Sequence, residues 1–177
     1  LAKWDELIAK HGKVVGIGSS DAHEVRLPGG IKIAPYDIMF KLVRTHVLLP
    51  LGTPLSEQAL YDALRQGHAY LAIDLVADAS GFAFFADDGK RVLAIMGDDV
   101  PCVPGLRLTA ILPAPAHLTL MKDGQPITST TGQTWHVTVS EPGTYRLEAF
   151  RQGKPWIFSN PIYVQAEGSE TKTDSEP

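Results

Sequence analysis

The sequence lacks the features that identify disulfide-linked, nucleic-acid-binding and membrane-spanning proteins. Cys102 is the single cysteine, so no disulfide and no CxxC metal knuckle can form within the chain. The formal net charge is −4, which leaves no basic footprint for a nucleic-acid backbone. Apolar runs such as residues 47–51 are far shorter than the roughly 20 residues needed to span a bilayer. We therefore expect no nucleic-acid partner and no membrane span, and the sequence leaves the cellular compartment open.

The start of the chain is typical of the interior of a larger protein. The first residue is Leu1 and not Met, and no charged and apolar leader follows it. Helical periodicity begins at once, with Trp4, Leu7 and Ile8 on one stripe. We therefore expect a missing N-terminal part of the same protein to be the first partner of this chain. A chain of 177 residues, 44% of them hydrophobic, can bury one ordinary core or two small ones.

The first half of the chain predicts an α/β unit. Residues 14–18 (VVGIG) form a short apolar run without alternation, which favours a strand buried on both faces. A helix before such a strand and a polar loop after it are typical of α/β barrels, whose chemistry lies in these loops. A helix near residues 36–42, and a clearer one between Ser56 as N-cap and Gly67 as C-cap, complete the unit. We assign residues 1–76 to this α/β unit.

The second half predicts antiparallel strands. From about residue 82, short runs of alternating apolar and polar residues are separated by Gly, Pro and Asp turns. The predicted strands are residues 82–86, 91–96, 106–112, 117–121, 133–139, 144–150 and 161–164. This pattern indicates an immunoglobulin-like β-sandwich over residues 82–165. Residues 167–177 contain no large apolar side chain, so we predict a disordered tail.

Asp21 and His23 are the strongest candidates for metal ligands. They stand one residue apart, directly after the predicted strand, and positions i and i+2 of an extended segment point to the same side. A carboxylate and an imidazole are ligands of Zn, Mn and Fe sites, where the ion can lower the pKa of a bound water. The alternative is that Ser19, Ser20 and Asp21 only turn the chain and that His23 is exposed.

The surrounding residues resemble a known family. Residues 14–23 (VVGIGSSDAH) resemble the last metal motif of the polymerase and histidinol phosphatase (PHP) superfamily, in which a strand ends in GSDAH or a close variant. The similarity continues at residues 43–46 (VRTH), 65–70 (RQGHAY, the pattern RxGxxY) and 159–164 (SNPIYV). Of these segments, only the DxH pattern contains residues with a role in catalysis in that family. The resemblance implies an α+β fold, in which the C-terminal fragment of a PHP-type (β/α)7 barrel precedes an immunoglobulin-like β-sandwich.

The resemblance also implies a function. PHP proteins hydrolyse phosphate mono- or diesters at a multinuclear metal site, so the chain would be the C-terminal part of a metal-dependent phosphoesterase. Asp21 and His23 would be closing ligands for divalent Zn, Mn or Fe ions in the intact protein, with a phosphate ester as the substrate. The HxH motif and the other ligands of the family pattern are absent from this sequence. Because a catalytic metal needs at least three protein ligands, we expect this polypeptide alone to be inactive and to pack against another chain or fragment.

Few other residues are candidates for chemistry. Arg44 is a candidate for substrate binding, since a guanidinium can bind a phosphate bidentately. No residue is assigned as a catalytic acid, base or nucleophile, because Ser19 and Ser20 lack a GxSxG elbow. His46 and His68 have no partner at ligand spacing and are predicted to be surface or core residues.

The alternative function is a non-catalytic module. In this hypothesis the sandwich binds a partner, a carbohydrate or the rest of its own protein. Trp135 and Trp156 would stack on a sugar if they were exposed, but their alternating strands favour packing in the core. An exposed aromatic or large apolar patch on the sandwich would favour this alternative.

Overall fold

The computed structural model describes residues 1–30 and 32–166. Its helices are α1 (Ala2–His11), α2 (Tyr36–Met39) and α3 (Glu57–Gln66). Its strands are β1 (Val25–Arg26), β2 (Lys32–Ile33), β3 (Arg44–Val47), β4 (Ala69–Ala72), β5 (Ala83–Asp87), β6 (Val92–Ile95), β7 (Asp99–Pro101), β8 (Arg107–Lys122), β9 (Gln125–Thr138), β10 (Gly143–Arg151), β11 (Lys154–Ser159) and β12 (Ile162–Gln165). The predicted disordered tail, residues 167–177, lies outside the described residues. Within the described ranges, no helix has the length and apolar character needed to cross a membrane.

The ends of two helices follow directly from their capping residues. The Ser56 hydroxyl accepts a hydrogen bond from the Ala59 N–H at 3.2 Å, which satisfies a free amide in the first turn of α3. Gly67 ends α3 with a left-handed backbone, at φ 79°, and its N–H donates to the Leu64 carbonyl. Gly12 ends α1 in a different backbone conformation, at φ 79° and ψ −128°, and its N–H donates to the Ile8 carbonyl. The cap positions predicted for α3 are confirmed.

Most strands belong to one large antiparallel sheet. The strand order is β3-β4-β11-β10-β8-β5-β6, with β9 also paired to β8 and β12 paired to both β10 and β7. Among the strand pairs described, β7 with β12 is parallel and the rest are antiparallel. β4 pairs directly with β11, so strands from both halves of the chain share a sheet. The predicted boundaries of the two units stay a prediction.

The predicted barrel fragment is wrong. A (β/α)7 barrel requires parallel strands joined by helices, whereas β3 and β4, on either side of α3, are antiparallel. Residues 14–18, predicted as a buried strand, belong to no strand and do not pair with a neighbouring one. Their backbone forms hydrogen bonds with side chains instead. The Asn160 side-chain amide accepts from the Gly16 N–H and donates to the Gly16 carbonyl. The Thr45 hydroxyl accepts from the Gly18 N–H and donates to the Gly18 carbonyl. The chain is mostly β-structure with a large antiparallel sheet, which is consistent with a β-sandwich.

The core lies among the strands of the second half. Its largest fully buried side chains are Trp156, Tyr145, Phe84, Met96, Leu106, Leu108, Leu112, Leu118, Leu120, Leu147, Ile157 and Ile162. Trp156 is completely buried, and its indole N–H donates to the Ala77 carbonyl at 2.7 Å. The predicted core position of Trp156 is confirmed, while Trp135 on β9 packs against the core and is only partly buried.

α1 is attached to the sheet by a buried ion pair. The Arg146 side chain is 3% exposed and donates from Nε and Nη2 to the Asp5 carboxylate, at 2.9 and 2.8 Å. Its Nη1 donates to Glu148, and its guanidinium lies 5.6 Å from the centre of the Trp4 ring. Burial opposes the charge of Arg146, but the hydrogen bonds to Asp5 and Glu148 hold its pKa above the usual value.

The end of α3 touches the turn after β6 at a position that only glycine fits. A Cβ atom at Gly97 would lie 2.0 Å from the Gln66 carbonyl oxygen, and φ at Gly97 is +96°. Gly81 has a similar φ of +87° but no atom within 4 Å of such a Cβ. Gly81→Ala is therefore expected to cost about 1–2 kcal/mol from the backbone conformation alone. Gly97→Ala should cost about 1–3 kcal/mol more, because the backbone of α3 must move.

Urea denaturation of the two glycine variants measures this difference. Equal losses of unfolding free energy in Gly97→Ala and Gly81→Ala would contradict the close approach of α3 to this turn.

Candidate functional site

Asp21 and His23 lie in an exposed loop that follows residues 14–18. The Asp21 side chain is 93% exposed and that of His23 is 75% exposed. The His23 Nδ1 atom is 2.8 Å from the backbone carbonyl oxygen of Asp21. Because a carbonyl only accepts hydrogen bonds, Nδ1 is the donor in this contact, which in the neutral ring leaves the lone pair on Nε2. This is the tautomer that metal-binding histidines commonly adopt, with Nδ1–H on a carbonyl and Nε2 left for the ion.

Asp21 and His23 have no third ligand near them among the described residues. No group of three or more His, Cys, Asp or Glu side chains there could hold a metal ion. Glu24 follows His23 in the sequence, but its carboxylate binds Arg26 at 2.8 Å and Lys32 at 3.5 Å. The hydrogen bond from Arg26 holds the pKa of Glu24 below its usual value, so this carboxylate is already engaged. The chain itself contributes two donors of the type that Zn, Mn or Fe accept, which is fewer than a catalytic site needs.

Arg44, the predicted substrate-binding residue, lies in a pocket beside this loop. The pocket has a volume of about 470 Å³. Its lining residues are Gly18, Ser19, Ser20, Phe40, Val43, Arg44, Thr45 and His46. The hydrogen bonds between Thr45 and Gly18 bring β3 against the start of the loop. The structure therefore brings Arg44 together with the two serines that precede Asp21.

The carboxylate that organises this pocket, Asp74, was not among the residues predicted from the sequence. The Asp74 side chain is 5% exposed and accepts hydrogen bonds from Arg44 Nη1 at 3.1 Å and His46 Nε2 at 3.1 Å. Its other oxygen accepts from the Ala79 N–H at 3.3 Å. The alternation of Arg44, Thr45 and His46 places Arg44 and His46 on one face of β3, which is the local signal that links these two residues. Asp74 lies 28 residues after His46, so no local pattern links the two.

The His46 ring is fixed in orientation by Tyr70. The two rings are stacked at 4.6 Å between centroids with an interplanar angle of 10°. The Tyr70 hydroxyl donates to the Ala79 carbonyl at 2.8 Å. Burial, together with the charges of Asp74 and Asp78, raises the pKa of Tyr70 to about 12, so the hydroxyl stays protonated at neutral pH. His68, by comparison, pairs with Asp98 at 2.7 Å and does not line this pocket.

A second depression lies on a face of the large sheet. It has a volume of about 240 Å³ and includes exposed Val92 and Ile111 and half-buried Phe85. Arg107 lies beside them and is held by the buried carboxylate of Asp87. Burial alone would raise the pKa of Asp87, but hydrogen bonds from Thr109, Arg107 and Gly89 hold it below the usual value.

Comparison with known proteins gives no relative. No protein-family model matches the chain, and neither the curated proteins nor the solved structures contain a match to it.

Proposed function

We propose that this chain is part of a metal-dependent phosphoesterase, to which Asp21 and His23 contribute two metal ligands. The carrying observation is the loop of residues 19–23, which exposes a carboxylate and a free imidazole Nε2 beside the Arg44 pocket. The similarity of this loop to the DxH motif of the PHP superfamily supports the same reaction class. The remaining ligands would come from a separate N-terminal part of the same protein, since two donors are too few.

A divalent Zn, Mn or Fe ion held there would supply an activated water and positive charge near the phosphoryl oxygens. The chain's own share of the reaction is then to hold the ion through Asp21 and His23 and to orient the substrate. Arg44 suits the second task, because a guanidinium binds phosphoryl oxygens in a planar, bidentate manner.

Hydrolysis of a chromogenic phosphate ester tests this function. The full-length protein, stripped of metal with a chelator, should gain activity when Mn or Zn is added. His23→Ala in that protein should lower the activity roughly 100-fold, because the variant removes a metal ligand and no core volume. The 177-residue chain alone should bind metal weakly and show no turnover.

His117→Ala is the matched control. His117 is exposed on β8, contacts Thr131 at 3.4 Å and does not line the Arg44 pocket, so its removal should leave the activity unchanged. Activity of the isolated chain equal to that of the full-length protein, or an unchanged rate in His23→Ala, would reject the proposed function.

The second candidate is a non-catalytic binding module formed by the sheet. The observation in its favour is the depression around Phe85, Val92 and Ile111, an apolar surface next to the fixed cation of Arg107. Such a surface suits a ligand with an apolar body and an anionic group. A metal-independent partner or carbohydrate that Ile111→Asp displaces, in a protein without esterase activity, would favour this candidate.

A further inference from the structure

The pocket beside Ser19 and Ser20 contains two cationic or ionisable side chains held by one buried carboxylate. Asp74 binds both Arg44 and His46, and both residues line the pocket. We propose that Arg44 and His46 together bind the phosphoryl group of a phosphate monoester, with Asp74 as the positioning residue for both. This inference rests on the proposed function and assigns the substrate subsite to residues that the DxH motif does not include.

Arg44 is held so that one end of its guanidinium remains available. Its Nε donates to the Phe40 carbonyl at 2.7 Å, and its Nη1 donates to Asp74 at 3.1 Å. Nη2 has no protein partner among residues 1–30 and 32–166. A guanidinium held at two of its three nitrogens keeps a fixed direction for the third, which suits a charge-assisted bond to a phosphoryl oxygen.

His46 is held in the same manner. Asp74 is a carboxylate and only accepts, so the Nε2 atom of His46 carries the proton in that hydrogen bond. Nδ1 has no partner among the described residues, and the stack on Tyr70 prevents the ring from turning freely. Protonated Nδ1 donates to a phosphoryl oxygen, whereas neutral Nδ1 accepts from a P–O–H group. His46 can therefore bind either ionisation state of a phosphate monoester.

A phosphoryl group in this pocket would be bound through directed hydrogen bonds and not through an excess of positive charge. Asp78 also lies near His46 and Arg44, and its carboxylate accepts from the Ser80 N–H at 2.9 Å. Two carboxylates therefore offset the charges of Arg44 and a protonated His46. Ser19 and Ser20 also line the pocket, and their hydroxyls can donate to a phosphoryl oxygen.

The remaining wall of the pocket is apolar. Phe40 is 57% exposed and stacks on Tyr36 at 5.5 Å between centroids, and Val43 lies beside it in the pocket. An organic group on the phosphoryl oxygen would contact these side chains. The substrate class that fits is therefore a phosphate monoester with a small apolar or aromatic group, bound in about 470 Å³.

Phenylphosphonate, which cannot be hydrolysed, is the probe for this subsite. Titration of the 177-residue chain, with its histidines labelled with ¹⁵N, should shift the His46 signals in a saturable manner. Arg44→Gln and His46→Gln should each raise the dissociation constant about tenfold, as expected for loss of a charge-assisted hydrogen bond. Arg44→Lys keeps the charge and should still weaken binding, because it loses the guanidinium geometry.

Asp74→Asn separates positioning from electrostatics. The variant removes a negative charge, so simple attraction would tighten the binding of an anion. We expect weaker binding instead, about threefold or more, for two reasons. The bonds from Arg44 and His46 lose the charge of their acceptor, and an amide oxygen turned towards them leaves its NH2 group facing the Ala79 N–H, which now has no acceptor. His68→Gln is the matched control, since His68 also pairs with an aspartate, is equally buried, and lies outside the pocket.

The outcomes distinguish this subsite from the proposed function. Tighter binding in Asp74→Asn, equal effects of His46→Gln and His68→Gln, or no saturable binding in a folded chain would overturn the subsite. Metal-dependent hydrolysis by the full-length protein without binding here would also overturn it and leave the phosphoesterase function standing. Binding here with no hydrolysis by the full-length protein would reject the function and leave the phosphate site.

Discussion

Trp156→Ala should lower the free energy of unfolding by about 3–5 kcal/mol, the usual cost of removing a large aromatic side chain from a core. Trp156 is completely buried on β11, whose neighbours in the sheet are β4 and β10. It therefore packs where strands from the two halves of the chain meet. The variant also loses the hydrogen bond from the indole N–H to the Ala77 carbonyl, so this carbonyl no longer has that donor. Urea denaturation followed by circular dichroism measures the change.

Two further variants separate volume from hydrogen bonding. Trp156→Phe keeps much of the ring and removes the indole N–H, so it should cost about 1–3 kcal/mol. Trp135→Ala removes a tryptophan that is only partly buried on β9, and it should cost less than about 2 kcal/mol. A loss in Trp156→Ala no larger than that in Trp135→Ala would show that Trp156 is not part of the core.

Local sequence patterns were sufficient for the helix ends. Ser56 and Gly67 act within one turn of the helix they cap, so their roles depend only on neighbours in the sequence. The alternating runs of the second half were recognised for the same reason, because period-two burial depends on the strand alone.

The lengths and partners of the strands could not be predicted in this way. The predicted strands 106–112 and 117–121 are parts of the single strand β8. The prolines at 113 and 115 suggested a break, but the structure has an irregularity between Ile111 and Ala116 within one strand. β8 pairs with β5 before this point and with β10 after it. Proline interrupts the ladder where the strand exchanges partners, and that exchange depends on residues distant in sequence.

The barrel prediction failed because an apolar run does not specify its neighbours. Residues 14–18 have the composition of a buried strand, yet Asn160 and Thr45 supply the hydrogen bonds that strand neighbours would supply. In the candidate site, too, the local sequence did not specify which residues are neighbours in space. Arg44 was predicted from its residue type, whereas Asp74 became visible only when β3 and β4 were found side by side.

Arg146→Met should lower the free energy of unfolding by about 3–5 kcal/mol, because it leaves two carboxylates without their cation. Asp5 and Glu148 are largely buried around Arg146, with side chains 17% and 14% exposed. Methionine retains much of the apolar length of arginine, so the loss reports mainly on charge and hydrogen bonding. Because Asp5 lies in α1 and Arg146 in β10, the variant should also loosen α1 and speed tryptic cleavage at Lys10 and Lys13.

A control variant and a rescue variant test whether the loss of stability comes from the buried, unpaired carboxylates. Arg65→Met removes an exposed arginine paired with Asp62, and it should change stability by less than about 1 kcal/mol. The triple variant Asp5→Asn, Arg146→Met, Glu148→Gln should recover much of the loss, since no uncompensated charge remains buried. Equal effects of Arg146→Met and Arg65→Met would contradict the buried network. A triple variant no more stable than Arg146→Met would instead assign the loss to packing against Trp4, because the guanidinium also lies over that ring.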